Sequence, residues 1–147
     1  MKNVLLKFFK KYWLCMLLSI IMVIGIPLTD HYSYLYVRGD DFDLIRPNLE
    51  TDYRFLGLPL FSLVIGVISY IKAKNAWLPP LIVGIISFVY WSAFHTENLS
   101  ELGIYIWIAN SMVFTLIGTA ITAFIYELIR AIKRDAAFKK QKEERKG

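Results

Sequence analysis

Gly103–Tyr126 reads GIYIWIANSMVFTLIGTAITAFIY, 24 consecutive residues without Asp, Glu, Lys, Arg or His. As an α-helix rising about 1.5 Å per residue, such a run reaches about 36 Å, against a bilayer hydrocarbon core of about 30 Å. A helix apolar on every side belongs in a bilayer or a large core. A chain of 147 residues offers no large core. The stretch is therefore read as a transmembrane helix, and the rest of the chain is placed around it.

Three further apolar runs flank it: 12–28, 55–71 and 77–94. Hydrophobic residues make up 56% of the chain and mean hydropathy is +0.47, too apolar for an ordinary soluble domain. The expected fold is all-α: one membrane domain over 1–147, a bundle of four transmembrane helices. It has outer loops at 29–54 and 95–102 and a tail at 127–147.

Charge orients the bundle. The net charge of +5 divides into +4 over Met1–Lys11, −3 over 29–54, +2 over Lys72–Ala76, −2 over 95–102 and +4 over 127–147. The sign changes at each crossing, a pattern unlike the continuous basic face of a nucleic-acid binder, so no nucleic acid is expected. Lys and Arg in short flanking segments mark the cytoplasmic side. Both termini are thus expected in the cytoplasm, and the small size points to a bacterial inner membrane.

The first run follows a basic start with Lys2, Lys7, Lys10 and Lys11. A signal peptide has the same form, but Ile26-Pro27-Leu28-Thr29-Asp30 is no A-x-A-like cleavage site, so an uncleaved span is expected. Gly25 and Pro27 are expected to kink or end this helix. Cys15, the sole cysteine, rules out an internal disulfide and reads as an inert buried thiol.

The outer segment 29–54 is the longest polar stretch. Tyr32, Tyr34 and Tyr36 alternate with a period of two, which predicts a short strand or hairpin. An acidic turn with Arg38, Asp40, Asp41 and Asp43 follows. These seven residues are the candidate interaction surface. The three aspartates lack the regular spacing and closing Glu of a calcium loop.

Small residues predict the helix contacts. Ser62 and Gly66 lie four apart on the second span. Ser111, Thr115, Gly118 and Thr122 step by four, three and four along the fourth, with Asn110 beside them. Such faces let helix backbones approach closely. The same stripe is the obvious wall for a polar pathway. Lys72–Ala76 is expected to be a tight turn joining the second and third spans. Beyond Tyr126 the helix is expected to continue to about Phe138, with Glu127 facing Arg130, and the charged residues 139–147 to fray.

Chemistry is sparse. No span holds Asp, Glu, Lys, Arg or His in its interior, which argues against proton-coupled transport. No phosphate-binding glycine loop, nucleophile elbow or His-Glu-x-x-His appears, and no cofactor is expected. His31 and His95, with Asp30 and Glu97, follow the outer ends of two spans, and their convergence would make a metal or acid–base site. Trp91 and Trp107 lie near the same leaflet, where they anchor the interface or frame a lipid or quinone site.

Four spans, inside termini and a long first outer loop make a layout similar to that of immunity proteins for pore-forming colicins. The resemblance extends over the whole chain as topology and carries no shared motif. It implies a non-enzymatic protein that blocks a toxin by contact within the inner membrane. An accessory subunit of a membrane complex fits the same features. The alternatives are a small transporter or channel subunit that oligomerises through the fourth helix, and a membrane enzyme using the outer histidine–carboxylate cluster. Expected partners are the lipid bilayer, a membrane or periplasmic protein, and copies of the chain itself.

Overall fold

The computed structural model describes residues 2–36, 53–94 and 101–144, with side chains at 3–29, 53–93, 105–138, 141 and 142. Its elements are helix α1 (Lys2–Tyr36), a π turn at Tyr53–Gly57, and helices α2 (Leu58–Ala73), α3 (Leu78–Phe94) and α4 (Glu101–Glu144). Three helical stretches are long and apolar enough to cross a membrane: Asn3–Thr29, Tyr53–Ala73 and Tyr105–Phe138. The apolar part of α3, Leu78–Ala93, is shorter.

No strand occurs among the described residues. The strand predicted from Tyr32, Tyr34 and Tyr36 is corrected: the backbone there is the last part of α1. Pro27 does not end that helix but lies inside it. Proline there removes one i→i−4 hydrogen bond, leaving the Val23 carbonyl without its usual donor, while the turns on either side keep theirs. Thr29 donates its hydroxyl to the Ile26 carbonyl at 2.9 Å in the same turn. At the other end of the chain, α4 continues past Phe138 to Glu144. The charged residues expected to fray are thus helical that far.

The π turn before α2 has a local cause. Pro59 has no N–H to give, and its ring crowds the carbonyl four residues back, that of Phe55. The turn widens there and tightens to an α-helix from Leu58 onward.

Between α2 and α3 the chain turns in four residues. Lys74 caps α2 in the left-handed region (φ 52°, ψ 36°), and its N–H donates to the Tyr70 carbonyl at 2.8 Å. The Asn75 side-chain oxygen accepts from the N–H groups of Trp77 (2.9 Å) and Leu78 (3.0 Å). Pro79 and Pro80 have no N–H, so Asn75 meets the donors that the start of α3 leaves open.

Each of α2 and α3 packs on both α1 and α4, whereas α1 and α4 do not pack on one another among the described residues. The pairings give directions. Trp13 meets Lys72 and Met22 meets Ser62, so α1 and α2 are antiparallel. Phe55 meets Trp107 and Lys74 meets Tyr126, so α2 and α4 are parallel. Gly84 meets Met112 and Ala76 meets Thr119, so α3 and α4 are antiparallel. The α1 N-terminal half, the Lys74–Trp77 turn and the α4 extension therefore share one end of the bundle, the Trp13 end. Arg54, Trp91 and Trp107 mark the other.

The burial pattern is that of a protein solvated by lipid. Among the described residues the buried polar ones are all Ser or Thr: Ser19, Ser62, Ser69, Ser87, Ser111, Thr115 and Thr119. The outward faces carry Leu17, Ile20, Ile24, Val64, Ile85, Phe88, Val113, Ile121 and Phe124. With apolar side chains outside as well as inside, water expulsion does not drive the helices together. Close backbone contact and interhelical hydrogen bonds do so.

Candidate functional site: a hydroxyl seam and two aromatic ends

The two small-residue faces read from the sequence meet. Gly66 of α2 lies against the Thr115 carbonyl oxygen of α4, and a Cβ there would also come within 3.0 Å of the Thr119 nitrogen. Gly118 lies against the Leu63 carbonyl oxygen, with the Val67 nitrogen 3.2 Å from where its Cβ would be. The two glycines thus remove a Cβ from each side of one crossing, so the backbones touch.

The hydroxyls of the seam are turned back on the chain. Thr115 donates to the Ser111 carbonyl at 2.8 Å and Thr122 to the Gly118 carbonyl at 2.8 Å. Thr119 is placed within reach of two acceptors, the Leu116 carbonyl at 2.8 Å and the Ala76 carbonyl of the α2–α3 turn at 3.1 Å. Ser62 points away from α4 and donates to the Met22 sulfur at 3.2 Å. Asn110 and Thr122 are half-buried beside the seam. Thr119, fully buried, is the residue the sequence reading missed. Its signal was present, since Ser111, Thr115 and Thr119 step by four. Ser87 is buried, and its hydroxyl has no hydrogen-bond partner among the described residues.

At the Trp91 end, Tyr53 reaches across from the π turn. Its hydroxyl donates to the Met22 carbonyl at 2.6 Å, and its ring lies on Gly25, where a Cβ would strike it. Gly25 is thus a seat for a ring. The Arg54 guanidinium lies 5.4 Å from the centre of the buried Trp91 ring, and Tyr90 meets that ring edge-on at 5.9 Å. Phe55 packs edge-on against Trp107 at 5.1 Å. Trp91 and Trp107 therefore each hold a side chain of the protein itself.

At the Trp13 end, cations lie over aromatic faces. Lys72 is 4.4 Å from the Trp13 ring centre, Lys74 is 3.6 Å from Tyr126, and Lys11 is 5.6 Å from Tyr12. Just beyond, Glu127 pairs with Arg130 at 3.6 Å, as its spacing predicts, and with Arg134 at 3.9 Å. One carboxylate between two guanidiniums relieves the like-charge contact of Arg130 and Arg134. Cys15 is buried and free, and its carbonyl accepts from the Ser19 hydroxyl at 2.7 Å.

The candidates of 29–54 and 95–102 are described only in part. Arg38, Asp40, Asp41, Asp43, His95 and Glu97 lie outside the described residues. Asp30, His31, Tyr32, Tyr34 and Tyr36 have described backbone in α1, and their side chains lie outside the described part.

No curated protein and no solved structure matches the chain. A family described as "Protein of unknown function (DUF2651)" matches residues 53–129. The match begins at Tyr53, covers α2 and α3 and ends just past Tyr126 on α4, so it contains both sides of the Gly66–Gly118 crossing and leaves out α1. Because it covers more than half of the sequence, the chain belongs to this family of unknown function.

Proposed function

We propose that this is a small, non-enzymatic membrane protein that acts by contact with another protein. It crosses the cytoplasmic membrane of a bacterium four times, with both termini inside. The outer segment 29–54 is its recognition surface, through Tyr32, Tyr34, Tyr36, Arg38, Asp40, Asp41 and Asp43. An immunity protein against a pore-forming toxin, or an accessory subunit of a membrane complex, has this organisation.

One observation carries the choice between contact and conduction. The seam that would line a polar pathway is closed by backbone contact at Gly66 and Gly118. Its threonine hydroxyls are aimed at carbonyls of the same helix, except for the added link from Thr119 to Ala76. A conduction path needs polar groups turned toward a lumen, and these are turned away from one.

Planar-bilayer recording on the purified full chain tests this. The membrane is expected to stay silent at all protein densities. Unitary currents that vanish in Asn110→Leu and Thr122→Val would replace this reading with that of a channel subunit.

A further inference from the structure

The Trp13 end joins two features that sequence spacing alone does not connect. The first is cationic. Lys72, Lys74 and Lys11 lie at one level over Trp13, Tyr126 and Tyr12, and α1 begins at the same end with Lys7 and Lys10 on the face that carries Lys11. Residues 1–29 contain no acidic residue, and the first acid after Tyr126 on α4, Glu127, is held by Arg130 and Arg134. The second feature is apolar. Three residues after Lys74, Trp77 opens a groove of about 300 Å³ between α3 and α4, lined by Trp77, Pro80, Leu81, Met112, Val113 and Leu116. The groove has no polar lining.

A cationic turn that leads directly into the wall of an apolar groove is the complement of one kind of molecule: a charged head on a hydrocarbon chain. We propose that this end of the bundle is a binding site for an anionic phospholipid. The phosphate lies at Lys74, and an acyl chain lies in the groove that Trp77 lines. A second copy of the chain is disfavoured as the occupant, because it would bring the same lysines into contact with these. The Lys74 ammonium keeps N–H groups to donate while it rests on the Tyr126 ring, since a ring face takes up only one side of it. The inference rests on membrane insertion alone and is independent of any protein partner.

The test is native mass spectrometry of the full chain in detergent micelles, given equal amounts of phosphatidylglycerol and phosphatidylcholine with matched chains. A lysine near an anionic surface contributes about 1 kcal/mol, or roughly fivefold. The adduct ratio is expected to favour phosphatidylglycerol by about fivefold or more. It should fall to near unity in the double variant Lys72→Gln, Lys74→Asn. Asparagine tolerates the left-handed conformation of residue 74, so the turn is retained. Lys74→Arg keeps the charge and should keep the preference, whatever it does to thermal stability. No preference in the native chain, or an unchanged one in the double variant, would overturn the proposal. So would loss of preference in Lys74→Arg.

Discussion

Gly66 of α2 rests directly on the carbonyl oxygen of Thr115 in α4, with no side chain between the two helices. In lipid such contacts hold helices together, because apolar burial gives little gain when the surroundings are hydrocarbon. A methyl group at Gly66 has nowhere to go, since what it meets is backbone. Gly66→Ala should lower stability by about 1 to 3 kcal/mol, the range for overpacking a tight site. Gly118→Ala meets the Leu63 carbonyl in the same crossing. Unfolding in mixed micelles should give a double variant well short of the sum of the two, because the first methyl already parts the helices.

Tyr53 and Gly25 form a second such pair. Tyr53→Phe removes the bond to the Met22 carbonyl. The cost should be near the lower end of the usual 0.5 to 1.5 kcal/mol, roughly, because that carbonyl keeps a helical donor. Gly25→Ala pushes the same ring away and should lose the same bond. After Gly25→Ala, adding Tyr53→Phe should therefore change the unfolding midpoint little.

The threonines of α4 separate by where their hydroxyls go. Thr115→Val keeps the shape and loses only a bond within one helix, so it should cost less than the same change at Thr119. Thr119→Val also cuts the link to Ala76 and should cost more, about 0.6 to 1.7 kcal/mol, as for other interhelical bonds in membranes. Equal effects at both positions would show that the Thr119–Ala76 link contributes nothing.

Asn75 holds the turn between α2 and α3. Asn75→Ala leaves two N–H groups without their acceptor and should cost about 0.5 to 2 kcal/mol, while Asn75→Asp restores most of it. Hydrogen exchange at Trp77 and Leu78 should speed up in the alanine variant and not in the aspartate one.

What the sequence made legible follows from how local each signal is. The run 103–126 has no charge to interrupt it, so a helix through it was readable, and α4 contains it. The spacing of Ser111, Thr115 and Gly118 named a packing face, and Gly66 of α2 is what it meets, while Ser62 turns to Met22 of α1. That α2 packs on α4 while α1 does not was not readable, because it depends on how non-consecutive helices are arranged. Gly25 read as a helix breaker because the ring seated on it belongs to Tyr53, 28 residues further along the chain. The alternation of Tyr32, Tyr34 and Tyr36 spans only five residues, too few to outweigh a helix already running from Lys2.

The fold also defines how the interaction surface has to be tested. Replacing all of 29–54 would remove Tyr53 from Gly25 and Arg54 from Trp91, so a lost partner would prove little. The segment to exchange for a neutral Gly/Ser linker is 37–50, which leaves α1 and the π turn whole. Affinity purification in mild detergent should then be run on the native and exchanged chains, at equal expression and equal melting temperature. A stoichiometric partner protein recovered with the native chain and lost with the exchanged one is the result expected of a contact protein. Self-association alone in both would contradict it, and the same partner recovered by both would place the contact outside Arg38, Asp40, Asp41 and Asp43.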